Sequence, residues 1–151
     1  MSITIENIES ALAGESMAHI KYRYFAKLAR AEGFEDIAKH FEETADQEIK
    51  HAWGHLDLLI GKPDTRTCLE LAIKGETYEF TTMYPQFERQ AKVEQNIEAV
   101  KEFNEQGRES NEHAQQFKKI LELAEKRFNA LQKVEKRHAE AYQKVLGEMN
   151  G

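Results

Sequence analysis

The scarcity of helix-breaking residues constrains this chain more than any other feature. Its 151 residues include only two Pro and eight Gly, and most other positions hold good helix formers. Breakers divide the chain sparingly, at "AEGFED", "IGKPDTRT", "EQGRES" and the terminal "GEMNG". The sequence therefore predicts an all-α fold without strands, with four helices at roughly residues 4–31, 35–60, 67–106 and 109–147.

Composition limits the class of protein. A chain of 17.5 kDa fits one domain over residues 1–151. The net charge of -6, from 27 acidic and 21 basic residues, argues against nucleic acid as a partner. A single cysteine, Cys68, and the lack of a long apolar run predict a cytoplasmic protein that does not associate with membranes.

Two segments share the pattern Glu-x-x-His, "EIKH" at residues 48–51 and "EKRH" at 135–138. Side chains three positions apart lie on one helix face. Helical periodicity puts both motifs on the apolar side of their helices. A carboxylate there is costly unless it is paired or bound to a cation. Both motifs are thus candidate metal ligands.

The two halves of the chain resemble each other. Residues 13–22 align with residues 74–84, which places Glu15 opposite Glu76 at an offset of 61. Residues 41–52 align with residues 128–139 at an offset of 87. The 26-residue difference between these offsets predicts that about residues 95–120 form an extended helical hairpin around Gly107.

Two helices that each offer a Glu, and two that each offer Glu-x-x-His, form the ligand set of a di-metal site in a four-helix bundle. Other interpretations remain open. The carboxylates could form a polar network without metal. Glu109 follows Glu76 by 33 residues, as Glu48 follows Glu15, so "ESNEH" could supply Glu109 and Glu112 instead. The sequence favours "EKRH", because an apolar seam lies behind it. The predicted metal ligands are Glu15, Glu48, His51, Glu76, Glu79, Glu135 and His138.

The segments "ALAGESMAHIKY", "EIKHA", "AIKGETYEFTTMYP" and "VEKRHAEAY" resemble the ferritin-like domain of the rubrerythrin family, in the erythrin form that lacks a rubredoxin-like module. The resemblance implies a ferritin-like four-helix bundle, here with extended third and fourth helices. It also implies two irons, or a mixed iron/manganese pair, bridged by Glu48 and Glu135. Glu15 and His51 would complete the coordination of one iron, and Glu76 and His138 would complete that of the other.

The resemblance assigns three further residues. Glu79 matches a ligand that responds to the iron oxidation state and exchanges with the His at position 51. Tyr22 and Tyr84 match tyrosines beside the ligands, where they could orient groups or relay protons.

The function implied is that of a non-haem di-iron peroxidase that protects against oxidative stress by reducing hydrogen peroxide to water. The sequence has no Cys-x-x-Cys pair, so electrons are expected from an external carrier such as a rubredoxin. One alternative is a ferroxidase that oxidises iron with dioxygen and sequesters it. Another is an adaptor bundle in which the metal serves only to stabilise the fold.

The connection between the second and third helices is short. A link of about six or seven residues reaches little more than about 22 Å when extended, while parallel helices of these lengths would separate its ends by about 25 Å. We therefore expect a homodimer, and a domain-swapped arrangement is our hypothesis for it.

Overall fold

The computed structural model describes residues 2–149 and is helical almost throughout. No strand occurs in that range, so the all-α prediction is confirmed. Its elements are α1 (Ile3–Ala31), α2 (Glu35–Ile60), α3 (Thr65–Tyr78), a π-helical segment (Glu79–Met83), α4 (Tyr84–Val93) and α5 (Ile97–Met149). Contacts divide the chain into two compact units between Pro63 and Asp64.

The first unit is a helical hairpin of α1 packed on α2, which we call the first hairpin. Its fully buried residues are the small Ala26, Ala38, Ala45 and Ala52, between 0% and 2% exposed. Three of them lie seven residues apart along α2, which keeps them on one helix face. Because a methyl group occupies little space, two helices lined with alanine approach closely.

The turn of the first hairpin is fixed by backbone conformation and by charge. Gly33 has a φ of 88°, which costs little in a residue without a Cβ atom. The Arg30 guanidinium donates to Glu35 at 3.0 and 3.3 Å and to Glu42 at 2.9 and 3.0 Å. One arginine thus ties the end of α1 to the start of α2.

The second unit is a longer hairpin, the second hairpin, in which α3, the π-helical segment and α4 pack against α5. The Asp64 side chain caps α3 by accepting from the backbone N–H of Thr67 at 2.8 Å. At the turn, Asn96 caps α5 in the same way, accepting from the N–H of Ala99 at 3.1 Å. Such caps satisfy amides that have no partner inside the helix.

The π-helical segment interrupts the first arm of the second hairpin. A π segment holds one extra residue within an otherwise α-helical arm. Pro85 follows it in the first turn of α4. Proline lacks an N–H and crowds the preceding turn of a helix, and the N–H of Tyr84 bonds to the carbonyl of Glu79, five residues back. The distortion of the helix therefore lies directly before Pro85.

The expected break at Gly107 is absent, because α5 runs without interruption from Ile97 to Met149. The turn of the second hairpin lies at residues 94–96 instead. Gly107 faces the other arm, and a Cβ atom there would come within 3.3 Å of the Tyr84 Cβ. This glycine serves close helix approach, so reading it as a turn was wrong.

The extra length of the second hairpin lies at the end of α5. The arms α3, π segment and α4 contain 14, 5 and 10 residues, which together match the 29 of α1. By contrast, α5 has 53 residues and α2 has 26. Near the start of α3, Arg66 lies 3.4 Å from Glu125 and stacks over the Phe128 ring. α5 continues past this point as an overhang.

Along residues 2–149, no helix combines the length and the apolar character that crossing a membrane requires.

Candidate metal centre

The first hairpin brings together three of the predicted ligands. Glu15 lies on α1, and Glu48 and His51 lie one turn apart on α2. The His51 Nδ1 atom is 3.3 Å from Glu48 Oε2 and 3.7 Å from Glu15 Oε2. Donor atoms of all three side chains lie within 4.8 Å of one another. We call this group the first half-site.

The two carboxyls of the first half-site influence each other's protonation. The pKa of Glu15 is raised, because its protonated form donates a hydrogen bond to Glu48, and partial burial and the negative charge of Glu48 add to this effect. The pKa of Glu48 is lowered, because it accepts that hydrogen bond and lies beside His51. The raised pKa of Glu15 means that a proton and a cation compete for this place.

The second hairpin places Glu76, Glu79, Ser110 and His113 together, and we call this group the second half-site. The His113 Nδ1 atom lies 3.5 Å from Glu76 Oε2. The Ser110 hydroxyl donates to Glu79 Oε2 at 2.9 Å. Two carboxylates and one imidazole are thus present in each half-site, but among the described residues only those of the first have donor atoms that all lie within 4.8 Å of one another.

The Glu76 carboxylate supports a cation in the second half-site. Its Oε2 atom lies 3.5 Å from the His113 Nδ1 atom, but it is the one buried side-chain nitrogen or oxygen among the described residues that has no hydrogen-bond partner. A buried carboxylate oxygen without a partner is costly, and a bound cation would compensate it. Carboxylate and imidazole ligands without thiolate suit iron and manganese. The residues present therefore fit a metal ion.

The structure does not bring Glu135 and His138 to Glu76. Both lie exposed on the α5 overhang. Glu135 is 22 residues beyond His113, or about 33 Å along the helix at 1.5 Å per residue. Assigning "EKRH" to the second half-site, with Glu135 as a bridging ligand, was therefore wrong for this fold.

His113 was missed as a candidate ligand because the sequence lacks a Glu three residues before it. The structure shows that His51 and His113 each precede a buried alanine, Ala52 and Ala114, which are 2% and 0% exposed. The sequence alone does not single out His113 in this way, because His138 also precedes an alanine, Ala139, which is exposed.

The alternative register through "ESNEH" falls on the segment of α5 that lies against Glu76. Its two glutamates do not take the expected ligand positions, however. The Glu112 carboxylate is paired with Arg108 at 2.9 Å on the exposed side of the helix. Glu109 is half-buried and lies close enough to Tyr84 to affect its pKa. The residue that contacts Glu76 is His113.

The two predicted tyrosines occupy matching places. Tyr22 packs with Phe25 and Phe41, at ring-centroid distances of 6.3 and 6.1 Å. Tyr84 packs with Phe87 and with Phe103, each at 6.4 Å. We call these groups the first and second aromatic trios.

The environment of Tyr84 affects its protonation. Burial raises the pKa of Tyr84, and the negative charges of Glu79 and Glu76 add to the shift, followed by those of Glu102 and Glu109. Its hydroxyl therefore remains protonated at neutral pH.

Two further histidines lie near the first half-site. The His19 Nδ1 atom hydrogen-bonds with the backbone carbonyl of Ala45 at 2.7 Å, which joins α1 to α2. His55, one turn after His51 on α2, is half-buried and close enough to lower the pKa of Glu15.

Comparison with known proteins identifies the family. The rubrerythrin family model matches residues 6–121, a range that includes both half-sites and excludes Glu135 and His138. The chain is 37% identical over 128 residues to nigerythrin of Nitratidesulfovibrio vulgaris, covering 76% of this chain and 63% of that protein. It is 39% identical over 115 residues to rubrerythrin of the same organism, covering 68% and 60%. The alignments thus span about three fifths of these two relatives.

A putative rubrerythrin of Methanocaldococcus jannaschii is 31% identical over 147 residues, covering 83% of this chain and 72% of that protein. Among solved structures, fully reduced, all-ferrous nigerythrin is 34% identical, with coverage of 81% of this chain and 67% of that chain at a TM-score of 0.40. The family-model match spans most of the chain. This chain belongs to the rubrerythrin family.

Proposed function

We propose that the protein is a non-haem di-iron peroxidase that reduces hydrogen peroxide to water. The observation that carries the proposal is the pair of half-sites, each with two carboxylates and one imidazole. The second half-site also contains the buried Oε2 atom of Glu76, which has no hydrogen-bond partner. The first half-site supplies ligands to one iron through Glu15, Glu48 and His51. The second supplies them to another through Glu76, Glu79 and His113.

The reaction needs two electrons and two protons for each peroxide. Ferrous iron held by these residues would supply the two electrons for cleavage of the O–O bond, and the products would be two water molecules. The chain's own carboxylates hold the cations and compensate their charge. Because the pKa of Glu15 is raised without metal, cation binding at this half-site competes with protonation of Glu15.

Tyr84 supports proton delivery in this proposal. Its phenol remains protonated at neutral pH, and carboxylates at Glu79 and Glu76 lie close enough to influence it. A phenolic O–H beside carboxylates can donate a proton and be reprotonated through them. Tyr22 holds the matching place in the first hairpin, within the first aromatic trio.

The partners remain part of the proposal. Electrons come from a separate carrier of the rubredoxin type, and the protein acts in the cytoplasm as a homodimer. Size-exclusion chromatography with light scattering tests the dimer, and a strictly monomeric metal-loaded protein would exclude it.

Anaerobic stopped-flow spectroscopy tests the activity. Protein loaded with ferrous iron is mixed separately with hydrogen peroxide and with air-saturated buffer, and iron per chain is assayed in parallel. Fast oxidation by peroxide, slow oxidation by dioxygen and two irons per chain are expected. Faster reaction with dioxygen and continued iron uptake beyond two per chain would instead identify a ferroxidase.

Two variants control that experiment. His51→Ala removes the imidazole of the first half-site and should abolish fast oxidation by peroxide. His40→Ala changes an exposed histidine on the same helix, whose side chain belongs to neither half-site, and should react like the unaltered protein. Equal rates for the two variants would contradict the proposed site.

A further inference from the structure

The two hairpins can be aligned residue by residue from their turns. α2 begins at Glu35 and α5 at Ile97, an offset of 62. Phe41 and Phe103, each six residues further on, occupy the same place in the two aromatic trios. The alignment therefore rests on packing as well as on position.

This alignment pairs His51 with His113 and Glu48 with Ser110. Each histidine contacts the glutamate of the opposite arm, Glu15 or Glu76, at 3.7 and 3.5 Å. The second half-site therefore has a serine where the first has a carboxylate. That exchange also explains why the second Glu-x-x-His motif could not be found at this place in the sequence.

The carboxylate missing from α5 is replaced from the opposite arm. Before the π-helical segment, the first arms align at an offset of 61, which pairs Glu76 with Glu15 and Glu79 with Ala18. Each half-site therefore keeps two carboxylates. In the second hairpin, both lie on the first arm, one turn apart.

Ser110 is well placed to hold the transferred carboxylate. It is 5% exposed, and it is the buried polar residue among those described. Its hydroxyl donates to Glu79 Oε2 at 2.9 Å. A hydroxyl that binds one carboxylate oxygen leaves the other free and restricts the side chain to few orientations.

We infer that Ser110 is a positioning residue that orients Glu79 toward the cation of the second half-site. Glu79 thereby provides the second carboxylate ligand of the second half-site, as Glu48 does in the first. This inference rests on the proposed function, because it assumes that each half-site binds a cation. It predicts that the loss of one hydroxyl weakens cation binding in the second half-site and leaves the first unaffected.

Anaerobic calorimetric titration with ferrous iron tests the inference on the full chain. The metal-free protein is compared with Ser110→Ala, Glu79→Gln and the double variant, and circular dichroism checks their helix content. Alanine is the better helix former, so Ser110→Ala should fold. We expect Ser110→Ala to weaken one of two binding events about 10- to 100-fold, the usual range for residues that orient ligands.

The double variant distinguishes positioning from a general structural effect. If Ser110 acts through Glu79, its substitution has no further effect once Glu79 is glutamine. A Ser110→Ala effect of equal size in both backgrounds would overturn the inference. So would a Ser110→Ala titration identical to that of the unaltered protein, although two bound irons would leave the proposed function standing.

A matched control removes a hydroxyl elsewhere. Thr44 lies on α2 and its hydroxyl donates to the His40 carbonyl at 2.9 Å, away from the carboxylates. Thr44→Val should bind both irons normally, and an effect as large as that of Ser110→Ala would count against a specific role for Ser110. If the unaltered protein binds no iron at all, the proposed function itself fails, and this result is separate from the others.

Discussion

The two hairpins have the same plan but reach it with different residues. Both have a first arm of 29 residues, a three-residue turn and an aromatic trio near that turn. The first builds its half-site from one glutamate on α1 and a Glu-x-x-His pair on α2. The second takes both carboxylates from one arm and only the imidazole from the other. The number and type of ligands can therefore be kept while their positions in the sequence change.

The largest expected effect comes from removing either imidazole. His51→Ala and His113→Ala should each lower the affinity for one iron by more than about 100-fold, beyond the loss of an orienting residue alone. His138→Ala is the matched control, because this exposed histidine lies on the α5 overhang. Iron titration measures all three. Loss of an iron from His138→Ala, with both retained in His113→Ala, would restore the assignment to Glu135 and His138.

Removal of metal should have the next largest effect. At a free-iron concentration of 100 times Kd, binding adds about 2.7 kcal/mol to the free energy of unfolding. For a chain of this length, this corresponds to a Tm increase of about 5–10 °C. Calorimetry with and without a chelator measures the difference. Equal Tm values would argue against both half-sites.

The difference in Tm between metal-loaded and metal-free protein should also depend on pH. Because the pKa of Glu15 is raised in the metal-free fold, its proton stabilises that fold at low pH, and this contribution is lost as the pH rises through the raised value. A cation must displace the proton, so iron affinity increases over the same range. The Tm gap between metal-loaded and metal-free protein should widen from about pH 4.5 upward. Glu15→Gln should weaken this dependence.

A smaller effect should follow from exchanging the glycine and alanine that match in the two hairpins. Ala45 on α2 aligns with Gly107 on α5 at the offset of 62. Ala45→Gly should lower the free energy of unfolding by about 1 kcal/mol, the helix-propensity difference. Gly107→Ala should raise the free energy of unfolding by less than this amount, because the new Cβ atom would lie 3.3 Å from the Tyr84 Cβ. Urea denaturation compares them, and equal and opposite changes would mean that Tyr84 moves aside without cost.

The smallest effect concerns the first turn in acid. Hydrogen bonds from Arg30 lower the pKa values of Glu35 and Glu42. Their contribution to stability is present above the ordinary glutamate pKa and is lost as the pH falls through the lowered values. The protection of amides 30–36 against exchange, measured relative to the intrinsic rate at each pH, should therefore fall in acid, and Arg30→Ala should show low protection at every pH. Unchanged protection in that variant would show that Gly33 alone fixes the turn.

The helices and the first half-site could be predicted from the sequence because both depend on local patterns. Helical periodicity aligned Glu48 and His51 on one face, and the repeat supplied Glu15. The second half-site could not be found in this way, because a motif search requires a Glu where Ser110 stands. A complete Glu-x-x-His motif begins at Glu135, and the ligands of the second half-site were assigned to that motif although it lies exposed on α5.

The register of the second hairpin depends on packing that a motif does not express. Gly107 would break a helix by propensity alone, but its close contact with Tyr84 keeps it inside α5. The π-helical segment changes the offset between the halves from 61 to 62 within a few residues. Pro85 indicated a distortion there, but not its consequence for alignment. Only the structure shows that His113 is the residue opposite Glu76.

The π-helical segment also has a consequence for how such a chain could diverge after duplication. A single inserted codon would ordinarily rotate every later residue of a helix by about 100°. Here the extra residue is absorbed between Glu79 and Met83, and Tyr84 and Phe87 keep the packing of their counterparts Tyr22 and Phe25. Confining the insertion in this way lets one copy of a duplicated hairpin acquire a new carboxylate while its remaining contacts stay in register.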